Sequence, residues 1–212
     1  MTYSELIDEL IKDGHLKTPA IIEAFKKINR ADFLPEDLKS QAGINAPLMI
    51  GQGQTISQPL TVAFLLELLQ PRPGDKILDV GYGSGWQAAI LAEIVGQKKK
   101  GEVFAIERIS ELAQFGKNNL AKYDFLERGV VELREGDGIL GWAEAAPFDK
   151  IIVAATAEKV PQAWKDQLKI GGRIVLPVKE SIWLLRKTSE NDFSEEEYPG
   201  FSFVPLIEEE KK

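Results

Sequence analysis

Hydrophobic residues at the start of the chain recur at the spacing of one face of a helix. Residues 3–11 carry apolar side chains three and four positions apart, which is typical of an amphipathic helix. Thr18 followed by Pro19 indicates an N-cap and a first helical residue, so a second helix is predicted to continue to about Ile28.

An irregular interval separates these helices from the rest of the chain. Residues 41–58 contain glycines, a proline and few apolar positions, which predicts a loop without regular structure. A loop of about 15 residues is long for a compact domain and is usually functional or disordered. Pro59 then begins a third predicted helix, with Val62 on its apolar face.

From residue 75 onward, short apolar runs alternate with helical patterns. The runs predict strands at 76–80, 103–107, 130–134, 150–154 and 173–178, and helices at 86–95, 110–122 and about 160–168. This alternation is typical of βαβ units. Two further strands, 182–186 and 201–206, have no helix between them and predict an antiparallel hairpin at one edge. We therefore expect an α/β fold with a doubly wound, mostly parallel sheet of seven strands.

The most informative segment is a turn rich in glycine between the first strand of this sheet and the next helix, Asp79-Val80-Gly81-Tyr82-Gly83-Ser84-Gly85. Glycines at that edge let the backbone approach a ligand. A dinucleotide site has the spacing G-x-G-x-x-G, whereas the spacing here is G-x-G-x-G. The Asp79 carboxylate would repel a pyrophosphate and suits a cationic ligand such as S-adenosylmethionine. A turn that binds nothing is the alternative.

Two further acids follow the next two strands. Glu107 ends the second strand of the sheet, where a carboxylate can accept hydrogen bonds from both ribose hydroxyls. A surface ion pair with Arg108 is the alternative for Glu107. Asp137 precedes Gly138 after the third strand, where its carboxylate can reach an adenine amino group. Without the other signals this last segment would be an ordinary turn.

Composition narrows the possible chemistry. The 212 residues include no cysteine and one histidine, His15, which excludes thiolate chemistry and a metal cage of several histidines. We expect no metal site, and His15 is predicted to be a surface residue without a catalytic role. The net charge of −7 disfavours nucleic acid as a partner. We find neither a membrane-spanning run nor a signal peptide, and we expect a cytoplasmic protein whose acidic end, residues 186–212, is solvated and poorly ordered.

Several motifs make the sequence resemble the protein-L-isoaspartate O-methyltransferase family. The most particular is Ile-Gly-Gln-Gly-Gln-Thr-Ile-Ser-Gln-Pro at residues 50–59, which is similar to the family's signature loop. Residues 79–86 are similar to its glycine loop, and motifs spread over residues 136–173 match as well. Weaker matches lie at residues 30–35, Arg-Ala-Asp-Phe-Leu-Pro, and at residues 203–206.

The resemblance implies a class I methyltransferase of Rossmann-like fold. Residues 1–58 would form a helical N-terminal extension with the substrate and active-site loop, and residues 59–212 the core that binds S-adenosylmethionine. The two parts would make one structural domain overall. The enzyme would methylate the free α-carboxylate of L-isoaspartyl residues in damaged peptides and proteins, releasing S-adenosylhomocysteine. These damaged proteins would be its partners, with no nucleic acid and no membrane involved, and we expect a monomer.

The resemblance also implies the residues of the site. Ser57 would be the catalytic residue, its hydroxyl orienting the acceptor carboxylate, although an N-cap for the helix at Pro59 is the alternative role. The residues implied to bind the cofactor are Gln54, Thr55, Ile56, Ser57, Asp79, Gly81, Gly83, Ser84, Gly85, Glu107, Arg108, Asp137 and Gly138.

The sequence departs from the family pattern at four positions. The family more often has Thr or Ser where Tyr82 stands and Tyr where Trp86 stands. Some members have a histidine at the position of Val62 and a threonine at that of Ile207. Two other functions stay open from the sequence: a methyltransferase of this fold that acts on a different carboxylate, and a binding module without catalytic activity.

Overall fold

The computed structural model describes residues 1–97 and 100–205. Its strands are, in chain order, β1 (Leu48–Gly51), β2 (Gln54–Ile56), β3 (Lys76–Val80), β4 (Glu102–Glu107), β5 (Val131–Glu135), β6 (Phe148–Val153), β7 (Leu168–Val178), β8 (Ser181–Lys187) and β9 (Phe193–Pro199). Strands β3 to β9 form one seven-stranded sheet in the order β5-β4-β3-β6-β7-β8-β9. The first five strands in that order are parallel, and β8 and β9 are antiparallel. The predicted doubly wound, mostly parallel sheet is confirmed.

Helices cover both faces of the sheet. They are α1 (Tyr3–Lys12), α2 (Pro19–Lys27), α3 (Pro59–Leu69), α4 (Trp86–Val95), α5 (Ser110–Ala121) and α6 (Gln162–Asp166). Short 3₁₀ turns lie at Arg30–Phe33, Glu36–Gln41, Gly138–Leu140 and Ala143–Ala145. In the part of the chain that the structure describes, no helix is both long enough and apolar enough to cross a membrane.

Alternation along the central strands divides the core into two clusters. In β4, Val103 and Ala105 face a cluster built with α1 to α5, whereas Phe104 and Ile106 face a second cluster that includes Trp164 of α6. Because successive side chains of a strand point to opposite faces, a strand covered on both faces is apolar throughout. This explains why the sequence pattern located β3 and β4 to within a residue.

The segment predicted to be irregular, residues 41–58, contains regular structure. Strands β1 and β2 pair as an antiparallel hairpin, with Met49 opposite Thr55. Gly51 at the end of β1 and the turn residues Gln52 and Gly53 all have positive φ. The prediction of a loop without regular structure is wrong here because strands of four and three residues are too short to display an alternating pattern.

The last strand of the sheet is also not the predicted one. Residues 193–199, not residues 201–206, form the edge strand β9, and most of its side chains are exposed. Because these side chains lie in water, with Phe193 and Tyr198 partly buried, the acidic sequence of the strand resembled a solvated terminus. The predictions for Leu206 and Ile207 lie outside the described residues, and Pro205 makes only a single bridge, to Thr156.

The length of α6 and the cap of α2 differ from the sequence prediction. The helix expected over about 160–168 is confined to the five residues of α6, because Leu168 already belongs to β7. Thr18 occupies the N-cap position of α2 but does not cap it with its side chain. The Thr18 hydroxyl donates instead to Glu67 Oε2 at 2.7 Å, so it joins α2 to α3.

Candidate active site

A cleft of about 880 Å³, its open mouth included, lies at the carboxyl ends of β3 to β6. The strand order reverses between β3 and β6, which is where doubly wound sheets bind their ligands. The β1–β2 hairpin contributes the opposite wall. All residues predicted to bind a cofactor line this cleft except Asp79 and Gly85.

The glycine loop, residues 81–85, serves two different purposes. Gly81 and Gly83 both have positive φ, and a Cβ on Gly81 would meet nothing within 4 Å. Both glycines line the cleft, and Gly81 is open to close approach by a ligand, whereas a Cβ on Gly83 would lie 3.4 Å from Ile50 Cδ1. Gly85 also has positive φ, but a Cβ there would lie 3.0 Å from Gly116 O and from Leu120 Cγ. Gly85 is thus required by the packing of α5 on the loop.

Glu107 is held at the cleft by main-chain amides. Its Oε2 accepts a hydrogen bond from Gly83 N at 3.0 Å, and its Oε1 accepts from Arg108 N at 2.8 Å and from Ile109 N at 2.9 Å. The carboxylate joins the glycine loop to the end of β4, and its position is fixed by the backbone. Carboxylates bound in this way make strong, charge-assisted hydrogen bonds.

Asp79 lies behind the cleft wall and is fully buried. Its Oδ1 accepts from Gln87 Nε2 at 2.8 Å, and Gln87 itself lines the cleft. Within the described ranges, Asp79 Oδ2 and Gln87 Oε1 are buried without a hydrogen-bond partner. Burial raises the pKa of Asp79 to about 7, an effect that Gln87 reduces and nearby Glu107 adds to. Two buried acceptors without donors fit a ligand that carries a positive charge.

Asp137 and Gly138 shape the wall beyond β5. Asp137 Oδ1 accepts from Ile139 N at 2.9 Å and so begins the 3₁₀ turn Gly138–Leu140. A Cβ on Gly138 would lie 2.4 Å from Val80 Cγ1. Glycine is therefore needed here for the turn to pack over the end of β3, and this packing brings Asp137 to the cleft.

Ser57 lines the cleft beside the hairpin and is not the cap of α3. The N-cap position of α3 is Gln58, and the amide of Leu60 donates to Asn45 Oδ1 at 3.1 Å. A side chain from 15 residues away thus satisfies the helix terminus, and the capping role considered for Ser57 is wrong. The Ser57 carbonyl accepts from Arg30 Nη2 at 3.1 Å.

The positions that depart from the family pattern mostly lie at the cleft. Tyr82, Trp86 and Val62 all line it, while Ile207 lies outside the described residues. The Tyr82 hydroxyl donates to Ala113 O of α5 at 3.1 Å, which anchors the glycine loop. The Trp86 ring packs edge-on against Phe25 of α2, with 5.7 Å between centroids. His15 is exposed and is not among the residues of the cleft.

Sequence reasoning missed several wall residues. Ala154 and Ala155 follow β6 directly, so the rule that ligands bind at the carboxyl ends of parallel strands could have identified them. Gln87 lies eight residues after Asp79, and no spacing rule predicts their hydrogen bond. Val204 and Pro205 reach the cleft from the end of the described chain, and the weak family match at residues 203–206 was the one signal that could have identified them.

Comparison with known proteins gives one consistent result. The family model described as "Protein-L-isoaspartate(D-aspartate) O-methyltransferase (PCMT)" matches residues 1–211. A protein-L-isoaspartate O-methyltransferase of Methanopyrus kandleri is 44% identical over 97% of this chain and 91% of its own length. One from Ignicoccus hospitalis is also 44% identical, over 97% of each chain.

Solved structures agree on the fold. A structure described as a protein-L-isoaspartate O-methyltransferase superimposes with a TM-score of 0.87 at 27% identity, covering 98% of this chain and 66% of that one. A Plasmodium falciparum structure with a similar description, in complex with S-adenosyl-L-homocysteine, also has a TM-score of 0.87, at 22% identity, and covers 98% of this chain and 99% of its own.

Proposed function

The chain belongs to the protein-L-isoaspartate(D-aspartate) O-methyltransferase family, and we propose that it methylates the free α-carboxylate of L-isoaspartyl residues in peptides and proteins, using S-adenosylmethionine. One observation carries the assignment of the site. The signature-loop residues 54–57 and the open glycines of the glycine loop, although distant in sequence, line the same cleft. Methyl acceptor and methyl donor can therefore meet there.

The residues around the cleft suit S-adenosylmethionine. Gly81 and Gly83 would admit it against the backbone, and Glu107 would accept hydrogen bonds from its ribose hydroxyls. Asp137 would take the adenine amino group. The buried acceptors of Asp79 and Gln87 would offset its positive charge. Gln87 is thus proposed as a site residue in addition to those expected from the sequence.

The chemistry requires little of the protein beyond alignment. When bound, S-adenosylmethionine supplies a methyl group on a positively charged sulfur, which a carboxylate oxygen attacks without the transfer of any proton. The acceptor carboxylate is already ionised at neutral pH, so neither cysteine nor histidine is needed as a base. Apolar wall residues such as Ile56, Val80 and Ile106 exclude water, which favours a reaction in which opposite charges cancel.

Ser57 would orient the acceptor. Its hydroxyl would donate a hydrogen bond to one carboxylate oxygen and leave the other free to attack. The bond from Arg30 is made by the Ser57 carbonyl, and α3 is capped by Asn45, so neither contact occupies the hydroxyl.

The test compares two peptides that differ only in the aspartyl linkage. An isoaspartyl peptide should be methylated at least about 100-fold faster than its aspartyl isomer, because charge is equal and a misplacement of about 1 Å can cost 100-fold. Ser57→Ala should lower kcat and leave the affinity for S-adenosylmethionine within about twofold of wild type. Equal rates on the two peptides would contradict the repair function. Activity on small carboxylates alone would favour the alternative acceptor, and cofactor binding without turnover would favour a binding module.

We also propose that two parts of the chain have different roles in the site. Residues 1–58 supply the acceptor side of the site, and residues 59–212 supply the cofactor side. The enzyme is proposed to act in the cytoplasm as a monomer without nucleic acid. Light scattering of the purified protein with and without added DNA would test the monomeric state and the absence of DNA binding.

A further inference from the structure

Arg30 is a buried cation that has no acidic partner among residues 1–97 and 100–205. Its side chain has no exposed surface. Within the described ranges its guanidinium donates only to main-chain carbonyls: those of Ala42 at 3.2 Å, Ile44 at 2.8 Å, Ala46 at 2.8 Å and Ser57 at 3.1 Å. Burial lowers the pKa of Arg30 to about 10, so it remains charged at neutral pH. A buried charge is costly unless its hydrogen bonds are satisfied, so its presence here calls for a reason.

Hydrogen bonds and a ring contact of the neighbouring residues hold the backbone of Arg30 in place. Asn29 caps the turn Arg30–Phe33 by accepting from Ala31 N at 3.1 Å. Asp32 Oδ2 accepts from the Tyr123 hydroxyl at 2.6 Å, and Phe33 stacks on the Tyr123 ring at 5.6 Å. Tyr123 follows α5, so this turn is fastened to the same helix that packs on the glycine loop.

At the end of the Arg30 side chain, the guanidinium binds a segment that has no regular secondary structure. Residues 42–47 precede β1 and belong to no helix or strand. Their three carbonyls and the carbonyl of Ser57 are separated by at least 11 residues in sequence, yet one planar fork bonds all four. The fork also lies 5.4 Å from the centroid of the Trp86 ring, which lines the cleft. Arg30 therefore joins Ser57 and residues 42–46 to each other and contacts the cofactor side of the cleft at Trp86.

We propose that Arg30 is a positioning residue that fixes Ser57 and residues 42–46 in the arrangement that receives the acceptor carboxylate. The proposal rests on the function proposed above. A planar fork with several donors can hold carbonyls from two segments at fixed separation, whereas the single ammonium of lysine cannot. Charge alone is therefore insufficient, and lysine will not replace arginine.

The experiment compares Arg30→Lys with Arg173→Lys. Arg173 is a matched control because it also donates to a main-chain carbonyl, Leu68 O at 2.7 Å, and does not line the cleft. Arg30→Lys should lower kcat/KM for an isoaspartyl peptide about 10- to 100-fold, with the Kd for S-adenosylmethionine within about twofold of wild type. Arg173→Lys should keep kcat/KM within about twofold of wild type.

Two further measurements separate positioning from general instability. Amide hydrogen exchange in Arg30→Lys should rise over residues 42–58 and stay at the wild-type level over residues 102–107. In a Ser57→Ala background, Arg30→Lys should cost less kcat than it does in wild type, because both changes act through the same hydroxyl. If Arg30→Lys is too unstable to purify, Arg30→Met, which buries no charge, should show the same pattern.

The proposal is overturned if Arg30→Lys keeps wild-type kcat/KM, if its loss of activity equals its loss of cofactor affinity, or if exchange over residues 42–58 does not change. These outcomes are distinct from failure of the proposed function. A wild-type enzyme that does not methylate the isoaspartyl peptide would contradict that function, while hydrogen exchange would still decide whether Arg30 fixes the segment.

Discussion

At the scale of single residues, the position of Asp79 makes its carboxyl group harder to ionise. Its carboxyl is fully buried, and one hydrogen bond from Gln87 does not compensate for lost water, so its pKa rises to about 7. The negative charge of Glu107, at the same end of the sheet, raises the pKa of Asp79 further. A bound cation would favour the ionised form of Asp79, and protons therefore compete with the ligand.

This competition predicts a pH dependence with a definite sign. Binding of S-adenosylmethionine should be tightest above pH 7 and weaken as pH falls below 7, approaching tenfold per unit if Asp79 alone titrates. Asp79→Asn should bind more weakly than wild type at pH 8 and show a flatter profile. Calorimetry from pH 5.5 to 8.5 measures both. Asp149→Asn is the control, since Asp149 bonds Lys169 and does not line the cleft. An unchanged slope in Asp79→Asn would contradict the assignment.

Glu107 is predicted to act on the ligand and on the loop together. Glu107→Ala should weaken binding of S-adenosylmethionine by roughly 1–3 kcal/mol, because charge-assisted hydrogen bonds are lost. Exchange of the Gly83 and Ile109 amides should also rise, since both donate to this carboxylate. Glu135→Ala is the matched control, as Glu135 ends the neighbouring strand β5 outside the cleft lining. Equal binding by the two variants would be evidence against the role of Glu107.

At the scale of elements, the glycine loop packs closely on α5 at one glycine and is open to the cleft at another. A methyl group on Gly85 would press on Gly116 O and Leu120, whereas one on Gly81 would point into the open cleft. Both positions also have positive φ, which L-residues adopt at a cost of about 1–2 kcal/mol.

Replacing each glycine by alanine should therefore affect a different property, stability for Gly85 and cofactor affinity for Gly81. Gly85→Ala should lose about 1–3 kcal/mol more unfolding free energy than Gly81→Ala, because overpacking adds to backbone strain. Gly81→Ala should show the larger loss of S-adenosylmethionine affinity relative to its stability. Urea unfolding and calorimetry on both variants test this, and equal unfolding free energies would refute the packing role of Gly85.

Elements differ in how far the sequence could predict them. Helices α4 and α5 and strands β3 and β4 are covered on the faces that their apolar residues indicate, so periodicity located them. Strand β9 is an edge strand with an acidic face in water, and its burial gives no hydrophobic signal. The β1–β2 hairpin is too short for such a signal.

At the scale of the whole molecule, the N-terminal helices share one core with the cofactor-binding sheet. Tyr3 of α1 and Phe25 of α2 both pack against Trp86, at 6.3 and 5.7 Å between centroids. The buried cluster that contains them continues through α4 to β3 and β4. The division at residue 58 is therefore proposed for roles in the site only, because the core is continuous across it.

A continuous core predicts cooperative unfolding. Thermal unfolding followed by tryptophan fluorescence and by far-ultraviolet circular dichroism should give one coincident transition. A fragment of residues 59–212 should not fold, because the faces of α4 and α3 that α1 and α2 cover would be exposed. Two separate transitions, or a folded fragment, would show that the N-terminal extension is an independent unit.

The sequence by itself determined the parallel strands of the sheet, the turn between Asp79 and Gly85, and the acids that follow neighbouring strands. Such features depend on local periodicity and on the rule that parallel strands end at one edge. Only the tertiary structure decided which distant groups meet: Arg30 with the Ser57 carbonyl, Asn45 with the terminus of α3, and Val204 with the cleft wall. The physical reason is that periodicity reports how an element is buried, whereas the hydrogen bonds and contacts that join separate segments depend on where the chain returns in space.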